Sequence, residues 1–347
     1  MGILSKKSAN VFNPIDEEDT LAETLEKEGK QILKLSAGDP PKYFKTPEYI
    51  IEAYIRALKE RKTSYALGIG VKELREAVAE RYKRMYNIDV NEDNVIITQG
   101  VSEGIDFVNA ALLDPGNKGI LFRPYYPLYM IYMRENGGIP LFENYYEHLS
   151  WNVDVEKLEK TIKKEARRRP KYLLVTNPNN PTGTVLDRKV LEELVKLANE
   201  YDILIISDEI YDEIVFNNAK FTSIAELAKG VPHIILNGAS KSYDATGFRL
   251  GYMLIPEQDE KSMLIRDKLA DYAEARLSAN VPAQYAFADS LNNTKAHEKA
   301  MKEMVKEIEE RVNLATKIVN ESKFMHAVEP KGAFYLFPKV YLEKMKF

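Results

Sequence analysis

The chain has 347 residues, 49 Lys and Arg against 53 Asp and Glu, a formal net charge of −4 and no Cys. The near-neutral charge gives no bulk attraction to nucleic acid or anionic membrane, and the missing thiols remove disulfides, thiolate nucleophiles and cysteine-bound metals. At 45% hydrophobic and 29% charged residues, it reads as an ordinary globular chain of roughly two domains.

Residues 1–45 are polar and irregular apart from a helical stretch around 20–30. The opening MGILSK resembles a myristoylation start, but Lys6 stands where that pattern wants Ser or Thr, and no apolar run of signal-peptide length follows. No window approaches the roughly 18 apolar residues of a membrane span. The expected location is the cytoplasm, with no membrane and no nucleic-acid partner.

From about Thr46 onward, short apolar runs alternate with amphipathic segments. Val95-Ile96-Ile97 leads through Thr98-Gln99-Gly100 into a helical pattern carrying Phe107, Ala110, Ala111 and Leu112. Further runs follow at 119–122, 172–175, 203–206, 234–236 and 252–255, rich in Ile, Leu and Val and without polar alternation. Such runs suit strands buried on both faces of a mostly parallel sheet. Between two of them, Val190, Leu191, Leu194, Val195 and Ala198 share one helical face, with Asp187 as a candidate N-cap. Alternating strands and helices predict a three-layer αβα domain over 46–290. A smaller α+β domain is expected from 1–45 and 291–347, with a long Lys/Glu-rich helix over 294–322 and a strand over 332–337. The basic run over 163–169 reads as a solvated helix face.

In an open parallel sheet, ligands bind beyond the carboxyl ends of the strands. Here the apolar runs hand over to Gly100-Val101-Ser102, to Tyr125-Tyr126, to Asn177 through Gly183, to Asp208-Glu209-Ile210-Tyr211, and to Ser240-Lys241. Taken singly, each has an ordinary explanation. The glycine opening a helix offers free N–H groups to a phosphate, or is a plain strand-to-helix turn. Tyr126 is one of 21 Tyr, stacking or simply packed. Asp208 is a helix cap or the holder of a proton on a heterocyclic nitrogen. Lys241, after the small residues of NGAS and with Arg249 nearby, is a surface amine or a desolvated nucleophile of lowered pKa. Together they offer a site to an anionic tail, a flat ring and an electrophilic carbonyl. The four His (148, 233, 297 and 326) show no metal-ligand spacing, so no metal is expected.

The order of these residues resembles the fold-type I pyridoxal-phosphate (PLP) aminotransferases of class I/II, and within them the alanine aminotransferase-like members. The matching segments are SAGDPP (36–41), YALGIGVKELREA (65–77), NPNNPTG (177–183), SDEIYDE (207–213), NGASKSYDATGFRLGY (237–252), ANVPAQ (279–284) and KGAFYLFP (331–338). The resemblance implies that Lys241 condenses with the PLP aldehyde and later shuttles a proton. It implies that Asp208 pairs with the ring nitrogen, that Tyr211 and Asn180 donate to the ring's phenolic oxygen, and that Tyr126 stacks on the ring. Val101, Ser102, Ser240 and Arg249 would hold the phosphate, joined by Tyr65 from a neighbouring subunit, which implies a homodimer with shared sites. Gly38 and Asn180 would touch the substrate carboxylate. Arg276 reads as a helix ion pair rather than a substrate contact.

Family members continue past the strand resembling 332–337 and carry there an Arg that clamps the substrate carboxylate. No matching Arg is found before Phe347, so the small domain reads as incomplete at its C-terminus. Losing that clamp would weaken substrate binding by about 2–4 kcal/mol. Three readings follow: transamination between an amino acid (alanine first; aspartate, aromatic or branched-chain also open) and a 2-oxo acid such as 2-oxoglutarate; a β-lyase of the same fold; or a PLP-binding remnant without turnover.

Overall fold

The computed structural model describes residue 3 and residues 11–35, 38–165 and 168–345. Ser36 and Ala37 of the SAGDPP segment, Ala166 and Arg167 of the basic run, Gly2 and Lys6 near the start, and Phe347 lie outside the described residues.

The chain enters through three helices, α1 (Pro14–Lys27), α2 (Pro41–Phe44) and α3 (Glu48–Lys59), followed by α4 (Lys72–Tyr86). The main alternation is β1 (Val95–Thr98), α5 (Gly100–Leu112), β2 (Lys118–Arg123), α6 (Leu128–Glu135), β3 (Ile139–Tyr146), β4 (Asn152–Val153), α7 (Val155–Lys164) and β5 (Tyr172–Thr176). It continues with α8 (Arg188–Tyr201), β6 (Leu204–Asp208), α9 (Ile224–Leu227), β7 (His233–Gly238) and β8 (Gly251–Leu254). The C-terminal part holds α10 (Glu260–Arg276), α11 (Val281–Asn292), α12 (Thr294–Glu321), β9 (Met325–His326) and β10 (Lys339–Val340).

Eight strands form one sheet in the order β1-β8-β7-β6-β5-β2-β3-β4. The pairs β2–β3, β2–β5, β5–β6 and β6–β7 are parallel, whereas β8 runs against both β1 and β7, and β4 against β3. Because β8 alone is reversed between β7 and β1, its beginning lies at the edge where its neighbours end.

Side chains alternate across the sheet, and both faces are apolar. Ile97, Leu173, Val175, Ile205, Ile235 and Tyr252 point into one core, with α3, α4, α8 and α11 over it. Ile96, Tyr172, Leu174, Ile206, Leu236 and Met253 point into the other, with α5, α6 and α10 over that. This double burial explains why the strands lack polar alternation. A third cluster joins Ile210, Ile214 and Phe216 to one stripe of α12, namely Met301, Met304, Ile308 and Val312, whose spacing of three and four residues is helical. No helix among the described residues is long and apolar enough to cross a membrane.

Some elements differ from the sequence expectation. Helix α1 begins earlier than residue 20, because the Asn13 side chain accepts the Ile15 N–H at 3.3 Å and Pro14 takes the first turn, where its missing N–H costs nothing. Asp187 is the extended N-cap of α8 but makes no side-chain cap; its carboxylate instead accepts Asn152 Nδ2 at 3.3 Å. Strand β3 was not anticipated, since Pro140 and Glu143 interrupt its apolar run.

The strand expected over 332–337 does not form. Gly332 makes a single bridge to Val215, and Ala333 then turns into the left-handed region at φ 54°. The N–H groups of Lys331 and Gly332 both donate to the Gly183 carbonyl, at 2.8 and 2.9 Å, and that of Ala333 donates to Ile214 at 2.9 Å. The turn satisfies the backbone without a ladder, and it directs Phe334 and Tyr335 inward.

A buried polar network lies beneath the carboxyl edge of the sheet. Arg81 of α4 reaches Asp212 at 2.7 Å and Glu213 at 2.8 Å, and Tyr86 donates to Asp212 at 2.7 Å. Glu213 also meets His297 Nε2 at 2.9 Å, while His297 Nδ1 lies 3.1 Å from the Tyr49 hydroxyl. The His297 ring stacks on Tyr243 at 4.0 Å and 8°. Although burial opposes it, Arg81 and then His297 draw the Glu213 carboxyl below its usual range. The network thus ties α4 and α12 to the segments that follow Tyr211 and Lys241.

Candidate active site

At the carboxyl edge of β1, β2, β5, β6 and β7 the chain encloses a cavity of about 610 Å³. Its floor is the end of β6. Asp208 is 3% exposed, and its Oδ2 accepts the Tyr129 hydroxyl at 2.6 Å while Oδ1 accepts the Ile210 N–H at 3.2 Å. Tyr129 is itself held 2.9 Å from Thr176 Oγ1 at the end of β5. Burial pushes the Asp208 carboxyl up to about 6, against the opposing pull of Tyr129, Ile210 and Lys241.

Lys241 follows β7 and donates through Nζ to the Gly38 carbonyl at 2.6 Å. Desolvation, aided by the Arg249 charge, lowers its amine to about 8, even though Asp39, Asp208 and Asp244 favour the ammonium. Arg249 reaches the same edge because it precedes the reversed strand β8. Its guanidinium donates to Thr246 O at 3.1 Å and Gln99 O at 3.4 Å, beside the first turn of α5. Gly100 opens that helix at φ +77°, and a Cβ there would come within 2.7 Å of Arg249 Nη2. Only glycine allows the guanidinium to lie against the helix N-terminus, where Val101 and Ser102 present backbone N–H groups and the positive end of the dipole. Ser240, nearly buried, lines the same cavity.

Tyr126, between β2 and α6, forms part of the wall and meets Tyr129 edge-on at 5.6 Å. Asn180 and Tyr211 face the cavity from the loops after β5 and β6, and Gly38 closes it from the N-terminal segment. Thus every residue to which the resemblance gives a role in binding or catalysis, except Tyr65, lines one cavity. Tyr65 lies outside it and is 83% exposed. Arg276 is paired with Glu103 at 3.0 Å and donates to the Gly68 and Ile97 carbonyls, so it serves packing between α10 and its neighbours.

Among the lining residues given no role in the sequence analysis, Asp39, Tyr129 and Tyr335 make the polar contacts that matter most. Asp39 accepts Thr246 Oγ1 at 2.7 Å and faces Lys241; that hydrogen bond, with Lys42, holds its carboxyl below the usual range. Tyr129 carries the strongest contact to Asp208, yet among 21 Tyr its place three residues after Tyr126 is no signal. Tyr335 arrives only through the turn at Ala333, which no apolar pattern reveals.

The donor set fits PLP: a guanidinium and helix N-terminus cleared of side-chain bulk for a phosphate, an aromatic wall for a ring, a buried carboxylate lining the cavity to pair with a ring N–H, and an amine whose pKa burial lowers to about 8. A family model for aminotransferase class I and II matches residues 30–347. The aspartate aminotransferase of Thermotoga maritima is 34% identical over 332 residues, 95% of this chain and 82% of the relative. The alanine aminotransferase of Mycobacterium tuberculosis is 35% identical over 321 residues, 92% and 73% of the two chains. Among solved structures, an alanine aminotransferase from Pyrococcus furiosus matches with a TM-score of 0.93 and 38% identity, covering 99% of this chain and 86% of that one. The chain belongs to the class I and II aminotransferases, a PLP-dependent family whose members transfer amino groups between amino acids and 2-oxo acids.

Proposed function

We propose that this aminotransferase takes alanine as its first donor and 2-oxoglutarate as acceptor, working in the cytoplasm as a homodimer with Lys241 at the reacting centre. The observation that carries the assignment of Lys241 is its amine, lowered to about 8 and set in one cavity with Asp208, Tyr211 and Arg249. When bound, PLP supplies an aldehyde that condenses with amines and a ring that takes up the electron pair left at the substrate Cα.

The chain's own groups divide the remaining work. Arg249, Ser240, Ser102 and the Val101 N–H would bind the phosphate. Tyr126 would cover the ring, and Asp208 would hold a proton at the ring nitrogen. A positive charge there would stabilise the Asp208 carboxylate in turn, offsetting the burial that raises it. Tyr211 and Asn180 would orient the phenolic oxygen. Lys241 would take the proton from the substrate Cα as a general base, and an amine lowered to about 8 makes a better base at neutral pH than one at the usual lysine value would. Gly38 and Asn180 meet the substrate carboxylate.

Among the described residues lining the cavity, Lys241 and Arg249 are the only Lys or Arg, set against the carboxyls of Asp39 and Asp208. The dimer is supported by Tyr65 and Leu67, which are 83% and 61% exposed although their segment is pinned to β1 through Ile97 N–H to Ile69 O at 2.9 Å.

The first test is the visible spectrum of the PLP-loaded protein. Alanine should bleach the band, 2-oxoglutarate should restore it, and borohydride should fix the cofactor on Lys241. Label on any other residue overturns the assignment. For the dimer, Tyr65→Ala and Lys241→Ala chains are mixed and refolded. Recovered activity supports sites shared between subunits, since one site of the mixed pair then carries neither change; no recovery counts against sharing.

A further inference from the structure

Two donors on separate loops converge on one oxygen that belongs to neither. Asn180 Nδ2 donates to the Tyr335 hydroxyl at 3.2 Å, and the hydroxyls of Tyr211 and Tyr335 lie 2.7 Å apart. The Tyr335 ring meets Tyr211 edge-on at 5.7 Å. A methyl group at Gly38 would come within 2.6 Å of the Tyr335 oxygen, so the backbone that accepts Lys241 Nζ also confines the phenol.

We propose that Tyr335 is a positioning residue of this site, a hydroxyl relay that aims the Tyr211 O–H into the cavity and strengthens it as a donor. The proposal rests on the transaminase reading above, in which Tyr211 faces the phenolic oxygen of the cofactor. Two hydroxyl oxygens at 2.7 Å share one hydrogen. If the Tyr211 hydrogen is turned toward the cavity, the hydrogen between the two oxygens is the one on Tyr335. The order is then fixed along the whole chain: Asn180 N–H to Tyr335 O, Tyr335 O–H to Tyr211 O, and Tyr211 O–H to the cavity. Each donation polarises the next, so the last hydroxyl is a stronger donor than an isolated tyrosine.

A donor to a phenolic oxygen favours its anionic form, so the strength of the relay is readable as the pH at which the bound cofactor changes its visible spectrum. Cofactor-free wild type, Tyr335→Phe, Tyr211→Phe and the double variant are each loaded with PLP, and this midpoint and the dissociation constant are measured. Tyr335→Phe keeps the ring and removes only the oxygen. It should raise the midpoint by about 0.2–0.6 pH units, from a cooperative gain of tens of per cent on one charge-assisted hydrogen bond. Tyr211→Phe should raise it further, and the double variant should match Tyr211→Phe, because Tyr335 acts through that residue.

An unchanged midpoint in Tyr335→Phe overturns the relay while leaving the transaminase reading intact. So does a double variant whose two shifts add. If Tyr211→Phe also leaves the midpoint where it was, the placement of the phenolic oxygen falls and the relay falls with it. A Tyr335 that only packs would change the thermal midpoint of the cofactor-free protein and nothing in the spectrum.

Discussion

Replacing Lys241 by Met should stabilise the cofactor-free protein, and by an amount that shrinks as pH rises. The folded chain lowers this amine from 10.5 to about 8, chiefly through burial. Below about 8 both states carry the ammonium, and the folded state bears the full cost of desolvating it. Between about 8 and 10.5 the unfolded chain binds more protons than the folded one, so wild-type stability rises with pH and the cost fades. The interval between the two values corresponds to about 3 kcal/mol at neutral pH and to less than about 1 kcal/mol at pH 10. The cavity opens to solvent, so we expect about half of this to be realised. Loss of the 2.6 Å hydrogen bond to Gly38 O subtracts a further contribution, largest where Lys241 is charged, and so reduces the net gain most at low pH. The assay is urea unfolding of wild type and Lys241→Met, both without cofactor, at pH 7, 8, 9 and 10. The difference should fall by about 1–2 kcal/mol across the series. A difference that stays flat would refute the argument that Lys241 is a desolvated amine.

Tyr129→Phe removes the 2.6 Å donor to Asp208 and should raise that carboxyl above its present value of about 6. Protonated Asp208 cannot pair with a ring N–H, so PLP affinity should fall by about tenfold at pH 6.5 and by less at pH 8.5; an equal loss at both pH values would contradict this. Arg249→Gln should weaken PLP binding by about ten- to a hundredfold while sparing the affinity for dephosphorylated pyridoxal, measured by fluorescence quenching. Arg81→Met leaves Asp212 and Glu213 buried without their cation. It should cost about 3–5 kcal/mol in urea unfolding, and a neutral result would show that His297 alone satisfies the pair.

The parallel sheet was legible because its strands are buried on both faces: Leu173, Ile205 and Ile235 serve one core while Leu174, Ile206 and Leu236 serve the other, and the sequence has no polar residue to place between them. The ends of those strands then announced the cavity, since Ser102, Asp208 and Lys241 stand where apolar residues stop. Strand β3 was hidden because Pro140 and Glu143 break its run at the half-covered side of the sheet. The segment over 332–337 misled for the opposite reason. Its apolar residues look like a strand, but Ala333 adopts a left-handed turn and the side chains pack into the site rather than a ladder. Tyr129 and Tyr335 escaped notice because a tyrosine's hydroxyl partner is set by tertiary packing and leaves no trace in local spacing.

The reversal of β8 has a mechanical consequence. Lys241 and Arg249 sit on a single short connection whose two ends are locked together by the pairing of Gly238 with Gly251. The amine and the guanidinium are therefore carried by one loop, residues 239–250, closed at its base by that hydrogen-bonded register, and the span between them is set within this loop. An insertion of one residue inside that connection would change it at once.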